Sequence, residues 1–288
     1  MTGGPQTTDT VEIAGDVSAS VFVDRMTDKS SVVIAVVNNK GGVGKTTTSV
    51  NLAAALATPR RRVLLVDLDS QASASLWLGV DRTHLRPSSA SCLFEQFPAP
   101  QATRSTKVPN LDLITGSVEL ANADLALADV AGRELTLRMA LQRVRPRYDL
   151  IILDCPPNLS LVGVNALMAA DSLIVPVTPQ HLAVDGLVSL LASVETVRLR
   201  LSSKNHLLGI LLTMVDSASG RGPSLARNLR EQYGERVFRT EIGSSRILAE
   251  APTSARTIFE FAPRSRAADA FQRLAAEVLD RLRIARRS

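Results

Sequence analysis

The sequence predicts an α/β fold with a mostly parallel central sheet flanked by helices on both faces. Three observations predict it. Short apolar, β-branched runs alternate with helical patterns from residue 32 to residue 285. The first run, Val32 to Val37, leads through a glycine-rich stretch, Lys40-Gly41-Gly42-Val43-Gly44-Lys45-Thr46-Thr47, into an Ala/Leu/Val segment. Two later runs, Val63 to Asp67 and Leu150 to Asp154, end in carboxylates. Such groups at the C-terminal end of a buried strand stand on the edge where open parallel sheets bind ligands.

The first element is a strand over 32–38, followed by the loop and a helix over 45–57. A strand, a glycine turn and a helix N-terminus make the setting of a phosphate-binding loop. Glycines let backbone N–H groups approach an anion, and the first turn of the helix aims its unpaired N–H groups at the same spot. Lys45 adds a full positive charge, and the Thr46 hydroxyl can ligand Mg²⁺. The usual spacing places a glycine five residues before the final Gly-Lys pair; here that position is Asn39, and Lys40 follows it. Two lysines five residues apart on one tight loop call for a strongly anionic ligand such as a triphosphate.

Pro59 and Arg60 to Arg62 close the first helix. The strand Val63 to Asp67 runs into Asp67-Leu68-Asp69-Ser70-Gln71. Asp67 and Asp69 alternate and share a face in extended backbone. They can position a water or Mg²⁺ near the phosphates, while capping of the next helix suits one of them better than both. Residues 81–110 read as a loop-rich excursion with a short helix near Ser91 to Phe97. Leu111 to Ile114 is a strand, and helical patterns follow over 118–129 and 133–144. The run from Tyr148 to Asp154 ends at Cys155-Pro156-Pro157, where the prolines turn the chain out of the strand. Paired with the loop, Asp154 is the second half of a nucleotide site, supporting Mg²⁺ through a bound water. Cys155 reads as a small packing residue.

Leu161 to Ala170 is helical, Ser172 to Val177 a strand, Val184 to Leu201 a long helix, and Leu207 to Val215 a strand ending at Asp216. A loop over Ser217 to Pro223, a helix over 224–233, a short strand over 237–242, a helical turn near 246–250 and a last helix over 266–285 complete the chain.

At 288 residues, with 45% hydrophobic and 21% charged residues, the composition fits one large globular domain over 31–288 behind a flexible tail, 1–30. Cys92 and Cys155 have no metal-type spacing, and a reduced intracellular environment is the simpler expectation. The start is acidic and carries no secretory pattern, and no apolar run is long enough to cross a bilayer. Lys and Arg number 2 against 5 Asp and Glu over 1–30, 14 against 12 over 31–180, and 17 against 11 over 181–288. The basic last third is compatible with a polyanionic partner and equally with a solvated arginine-rich surface.

The stretches NNKGGVGKTTTSVNLAAALA, VLLVDLDSQ, YDLIILDCPPNLSLVGVNAL, LLTMVDS and ILAEAPT resemble the ParA/Soj type of DNA-partitioning ATPase, within the wider ParA/MinD group. The resemblance covers most of residues 31–285. It implies a P-loop NTPase of the deviant Walker A type, with ATP and Mg²⁺ as cofactors and an ATP-dependent homodimer with two nucleotides sandwiched between subunits. By that resemblance Lys40 reaches the partner's phosphates, Lys45 holds its own, Thr46 ligands Mg²⁺, Asp69 orients the attacking water and Asp154 supports the metal. It also implies sequence-independent binding of double-stranded DNA, a ParB-type partner that stimulates turnover, and a cytoplasmic, nucleoid-associated protein with no stable membrane association.

The chain departs from the family where Asp-Pro-Gln-Gly-Asn becomes Asp69-Ser70-Gln71-Ala72-Ser73. It departs again at Ala218, where an arginine is common, with Arg221 three residues on. The later Ile-Pro-Arg-Asn-Val-Arg pattern reads Ile242-Gly243-Ser244-Ser245-Arg246-Ile247, so Gly243, Ser244 and Ile247 replace family residues and Arg246 stands one place early. The candidates for DNA contact are Arg221, Arg227, Arg230 and Arg246.

Two other readings share these motifs. A MinD-like membrane-surface ATPase would use the last helix, with Ala267, Ala270, Phe271, Leu274, Val278 and Leu282 on one face and Arg281, Arg283, Arg286 and Arg287 at its end; that stripe is better suited to packing as core. A cargo-positioning nucleotide switch would keep the fold without DNA binding. An iron–sulfur reductase is disfavoured, since neither cysteine has a matching partner.

Overall fold

A computed structural model describes residues 31–180, 183–216 and 221–285, with backbone alone for 183, 221–223, 284 and 285. The tail over 1–30, the loop position Ala218, and Arg286 and Arg287 lie outside the described residues.

The strands are β1 (Val32–Val36), β2 (Val63–Asp67), β3 (Arg104–Ser105), β4 (Leu111–Ile114), β5 (Leu150–Asp154), β6 (Ser172–Val177), β7 (His206–Val215) and β8 (Ile242–Gly243). They form one sheet in the order β3-β4-β2-β5-β1-β6-β7-β8. Every pairing is parallel except that of β3 with β4. The sheet is therefore mostly parallel and helix-covered, as its continuous apolar runs require.

Side-chain alternation sorts those runs onto two faces. Val33, Ala35, Ile151 and Leu153 pack with Leu137, Leu167, Leu187 and Leu229 from helices on one side. Ile34, Val36, Leu65 and Ile152 pack with Val50, Leu52, Phe271 and Leu274 on the other. The second face belongs to the Lys45–Leu56 helix and, laid over it, the Arg266–Ala285 helix. The apolar stripe of the last helix is spent there. Ala267, Ala270, Phe271, Leu274, Val278 and Leu282 are all buried, so this face is core and offers no apolar surface to a membrane. Among the described residues no helix is long and apolar enough to cross a membrane.

Three local expectations need correction. The strand expected over 237–242 is absent: Val237 makes one isolated bridge to Ile210, and pairing resumes only at Ile242. Glu277 is the cause, because its carboxylate accepts the Arg239 and Thr240 N–H groups at 2.8 and 2.9 Å and diverts them from the sheet. The helical patterns at 118–129 and 133–144 each begin as a 3₁₀ turn, at Val118–Asn122 and Arg133–Leu135, before short α-helices at Ala123–Ala126 and Thr136–Gln142. Strand β3 was not legible at all, since two residues carry no period.

Candidate active site

The site is built at the C-terminal edge of β1, β2 and β5. Asp67 ends β2 and Asp154 ends β5, and the register pairs them directly. Each shares the face of its even-spaced neighbours, Leu65 and Ile152, which is the face covered by the Lys45–Leu56 helix. Parity and register thus place two fully buried carboxylates side by side under the start of that helix.

Gly44 is the N-cap of the helix at φ 83°, a left-handed conformation that L side chains rarely adopt. The loop before it is clamped at three points. Lys40 N–H donates to Asn38 Oδ1 at 2.9 Å, and Asn38 Nδ2 donates to the Pro176 carbonyl at 2.7 Å. Thr213 Oγ1 donates to the Val43 carbonyl at 2.9 Å. Lys45 Nζ reaches back across the loop to the Lys40 carbonyl at 2.9 Å. Gly41 and Gly42 are exposed, Lys45 is buried, and Thr46 and Thr47 are half-buried.

Asp154 Oδ1 accepts the Ser49 hydroxyl at 2.8 Å, whereas its buried Oδ2 has no hydrogen-bond partner. An orphaned carboxylate oxygen in such a place calls for a ligand. Among the described residues no group of three or more His, Cys, Asp or Glu could hold a metal ion. The orphaned Asp154 oxygen beside the half-buried Thr46 hydroxyl fits a hydrated Mg²⁺, which keeps waters and is held through few protein oxygens together with substrate phosphates.

Asp67 answers the question the alternation left open. Its Oδ2 accepts the Ser75 N–H and hydroxyl at 2.9 and 2.7 Å, and its Oδ1 accepts the Asp69 N–H at 3.1 Å. It caps the Ser73–Trp77 helix from outside, at that helix's third residue. Asp69 is half-buried, and its Oδ1 accepts the Gln71 N–H at 2.9 Å.

Burial raises both buried carboxylates, to about 6 for Asp67 and about 7 for Asp154, and Asp67 raises Asp154 further by like charge. Burial lowers Lys45, against the opposing pull of Asp154. The Cys155 thiol is pushed far up by burial and stays neutral. The folded chain therefore holds protons that the unfolded chain releases between about pH 4 and about pH 7. Its stability without nucleotide falls as pH rises through that window. The charged groups facing the pair are Lys45 and Asp69. Thermal melts without nucleotide are expected to give a lower Tm at pH 8 than at pH 5.5, and a Tm that rises with pH would contradict this.

Two cavities flank the loop. One of about 190 Å³ is lined by Gly44, Thr47, Thr48, Met214, Ser244 and Leu248. The other, of about 110 Å³, is lined by Asn38, Lys40, Gly41, Thr178, Gln180 and Gly186. Met214 stands between them, because β7 shifts register against β8 between Thr213 and Val215 and Met214 takes φ 52°. Ser49, Asn38 and Thr213 escaped sequence reasoning. Only Ser49 left a signal, a hydroxyl one helical turn beyond Lys45.

The candidate arginines differ in setting. Arg227 is exposed, and Arg230 pairs with Glu241 at 2.6 Å and lines a cavity with His206, where β7 begins. Arg246 is exposed at the opposite edge, after β8 and beside Ser244. The Arg221 side chain is outside the described residues.

Residues 31–208 match the family described as "AAA domain". The chain is 42% identical over 253 residues to the chromosome-partitioning ATPase Soj of Thermus thermophilus, covering 86% of this chain and 96% of that protein. It is 39% identical over 246 residues to the sporulation initiation inhibitor protein Soj of Bacillus subtilis, covering 85% and 97%. Among solved structures it resembles cobyrinic acid a,c-diamide synthase from Mycobacterium smegmatis with bound ADP and magnesium. That match has 31% identity and a TM-score of 0.77, covering 88% of this chain and 96% of that one.

Proposed function

The chain belongs to the Soj/ParA family of partitioning ATPases, and from that premise we propose that it is an ATP-switched DNA-partitioning protein. The observation that carries the proposal is the buried Lys45 at the head of the loop, its Nζ on the Lys40 carbonyl and its charge facing Asp154, whose Oδ2 is partnerless. Lys45 and the N–H groups of the loop hold the triphosphate of ATP, and the cavity beside Thr47 and Met214 takes the base. Thr46, with Asp154 behind it, holds Mg²⁺, which neutralises charge on the phosphates. Asp69 orients the attacking water.

Lys40 is exposed on the loop and has little to add to a phosphate already met by Lys45. In this reading it serves the nucleotide of a second copy, so ATP drives a homodimer and hydrolysis depends on it. The dimer binds double-stranded DNA without sequence preference through a basic surface that includes Arg227 and Arg246. A ParB-type partner stimulates hydrolysis and so release, and the protein resides on the nucleoid. The cofactors are ATP and Mg²⁺, as in the relatives solved with an ATP analogue or ADP and magnesium.

The test is binding to arbitrary duplex DNA with ATP, with ADP and without nucleotide, for the wild-type chain beside Lys40→Ala. Binding is expected with ATP alone, weakening steeply with salt as counterions are released, and lost in Lys40→Ala. Equal binding in all three nucleotide states would refute the switch. Burial of the apolar stripe in the core removes the surface that the membrane-surface reading would use.

A further inference from the structure

Behind Asp69 lies a buried polar relay. Gly116 N–H donates to Ser75 Oγ at 3.0 Å, and the Ser75 hydroxyl in turn donates to Asp67 Oδ2 at 2.7 Å. The other Asp67 oxygen accepts Asp69 N–H at 3.1 Å. Ser75 and Asp67 are both fully buried. One hydroxyl thus acts as donor and acceptor at once, and it links three separate pieces of chain: the end of β2, the Ser73–Trp77 helix and the loop after β4.

Gly116 presses on the same turn sterically. A Cβ at residue 116 would stand 2.6 Å from the Asp69 carbonyl oxygen and 2.9 Å from Asp67 Cγ and Oδ1. From the other side, Ala72 at φ 53° donates its N–H to the Asp69 carbonyl at 3.0 Å. The backbone of Asp69 is therefore gripped by its N–H, by its carbonyl and by contact with Gly116. Neither the loop clamp nor the metal-facing oxygen of Asp154 requires this arrangement.

We propose that Ser75 and Gly116 are positioning residues for ATP hydrolysis, acting through Asp67 to hold Asp69 at the angle from which it orients water. The inference rests on the reading of Asp69 given above. A carboxylate that places a nucleophile is sensitive to displacement, since a shift of about 1 Å can lower a rate by about 100-fold. Loss of one supporting hydroxyl belongs to the milder end of that range, as for outer partners of other sites.

The experiment uses the full chain and measures kcat and KM for ATP, the Kd of a non-hydrolysable ATP analogue, and the thermal melt. The variants are Ser75→Ala, Gly116→Ala and Asp69→Asn, with Ser75→Ala also combined with Asp69→Asn. Ser75→Ala is expected to lower kcat about 10-fold, to leave analogue binding within about twofold, and to cause no further loss beside Asp69→Asn. Gly116→Ala is expected to show the same split between kcat and binding. Should Ser75→Ala fail to fold, Ser75→Cys, a weaker donor on a slightly larger atom, carries the same expectation.

An unchanged kcat, an equal loss of analogue affinity, or a full 10-fold further loss beside Asp69→Asn would overturn the inference. If Asp69→Asn itself keeps wild-type turnover, the reading of Asp69 falls and the positioning role falls with it. If Asp69→Asn stops turnover while Ser75→Ala is silent, only the positioning role falls.

Discussion

Lys45→Ala is expected to abolish measurable ATP binding and to lower kcat/KM by about 10³-fold or more, roughly 4 kcal/mol of lost stabilisation. Lys45 is buried and faces the buried Asp154 and the half-buried Asp69, and its Nζ rests on the Lys40 carbonyl at 2.9 Å. The phosphates of ATP offer that ammonium a far better partner than a neutral carbonyl. Without it, an incoming triphosphate meets the negative side of the site alone. Titration calorimetry with ATP and Mg²⁺ checks the binding, and phosphate release checks the rate. A variant that binds within tenfold of wild type would show that the loop N–H groups suffice.

Asp69→Ala is expected to part the two halves of the cycle. Turnover falls by about 10³-fold, while ATP affinity stays within a few-fold and the ATP-bound dimer persists. The basis is placement: Asp69 is the half-buried carboxylate of the site, outside the pair of buried acids, and its side chain meets a backbone N–H at 2.9 Å. In the proposed reading it meets the attacking water and is not needed to hold the nucleotide. Single-turnover hydrolysis beside size-exclusion chromatography with ATP separates the outcomes. Loss of the dimer together with turnover would mean that Asp69 serves association instead.

Most of the fold was legible because buried parallel strands write themselves as unbroken apolar runs, as in Val63 to Val66 and Leu150 to Leu153. The loop was legible because glycine and lysine have few other reasons to crowd together after such a strand. What stayed hidden has a common physical character. Ser49, Asn38, Thr213 and Ser75 act by hydrogen bonds that close only when distant segments meet, and a lone hydroxyl or amide leaves no period in the sequence. Asp67 and Asp69 looked alike at a spacing of two. Only register showed that the first is sealed against Asp154 and the second left open. The shortness of β8 follows from Glu277, a residue 34 positions beyond Gly243 that no local pattern connects to it.

The paired carboxylates under the loop have a consequence for the lifetime of the chain. An empty subunit at neutral pH keeps two acids close together in a dry setting, one oxygen of which has no donor. Nucleotide and cation relieve that tension, and by mass action they draw the population away from opened forms. Where degradation samples opened molecules, empty copies are removed sooner than loaded ones.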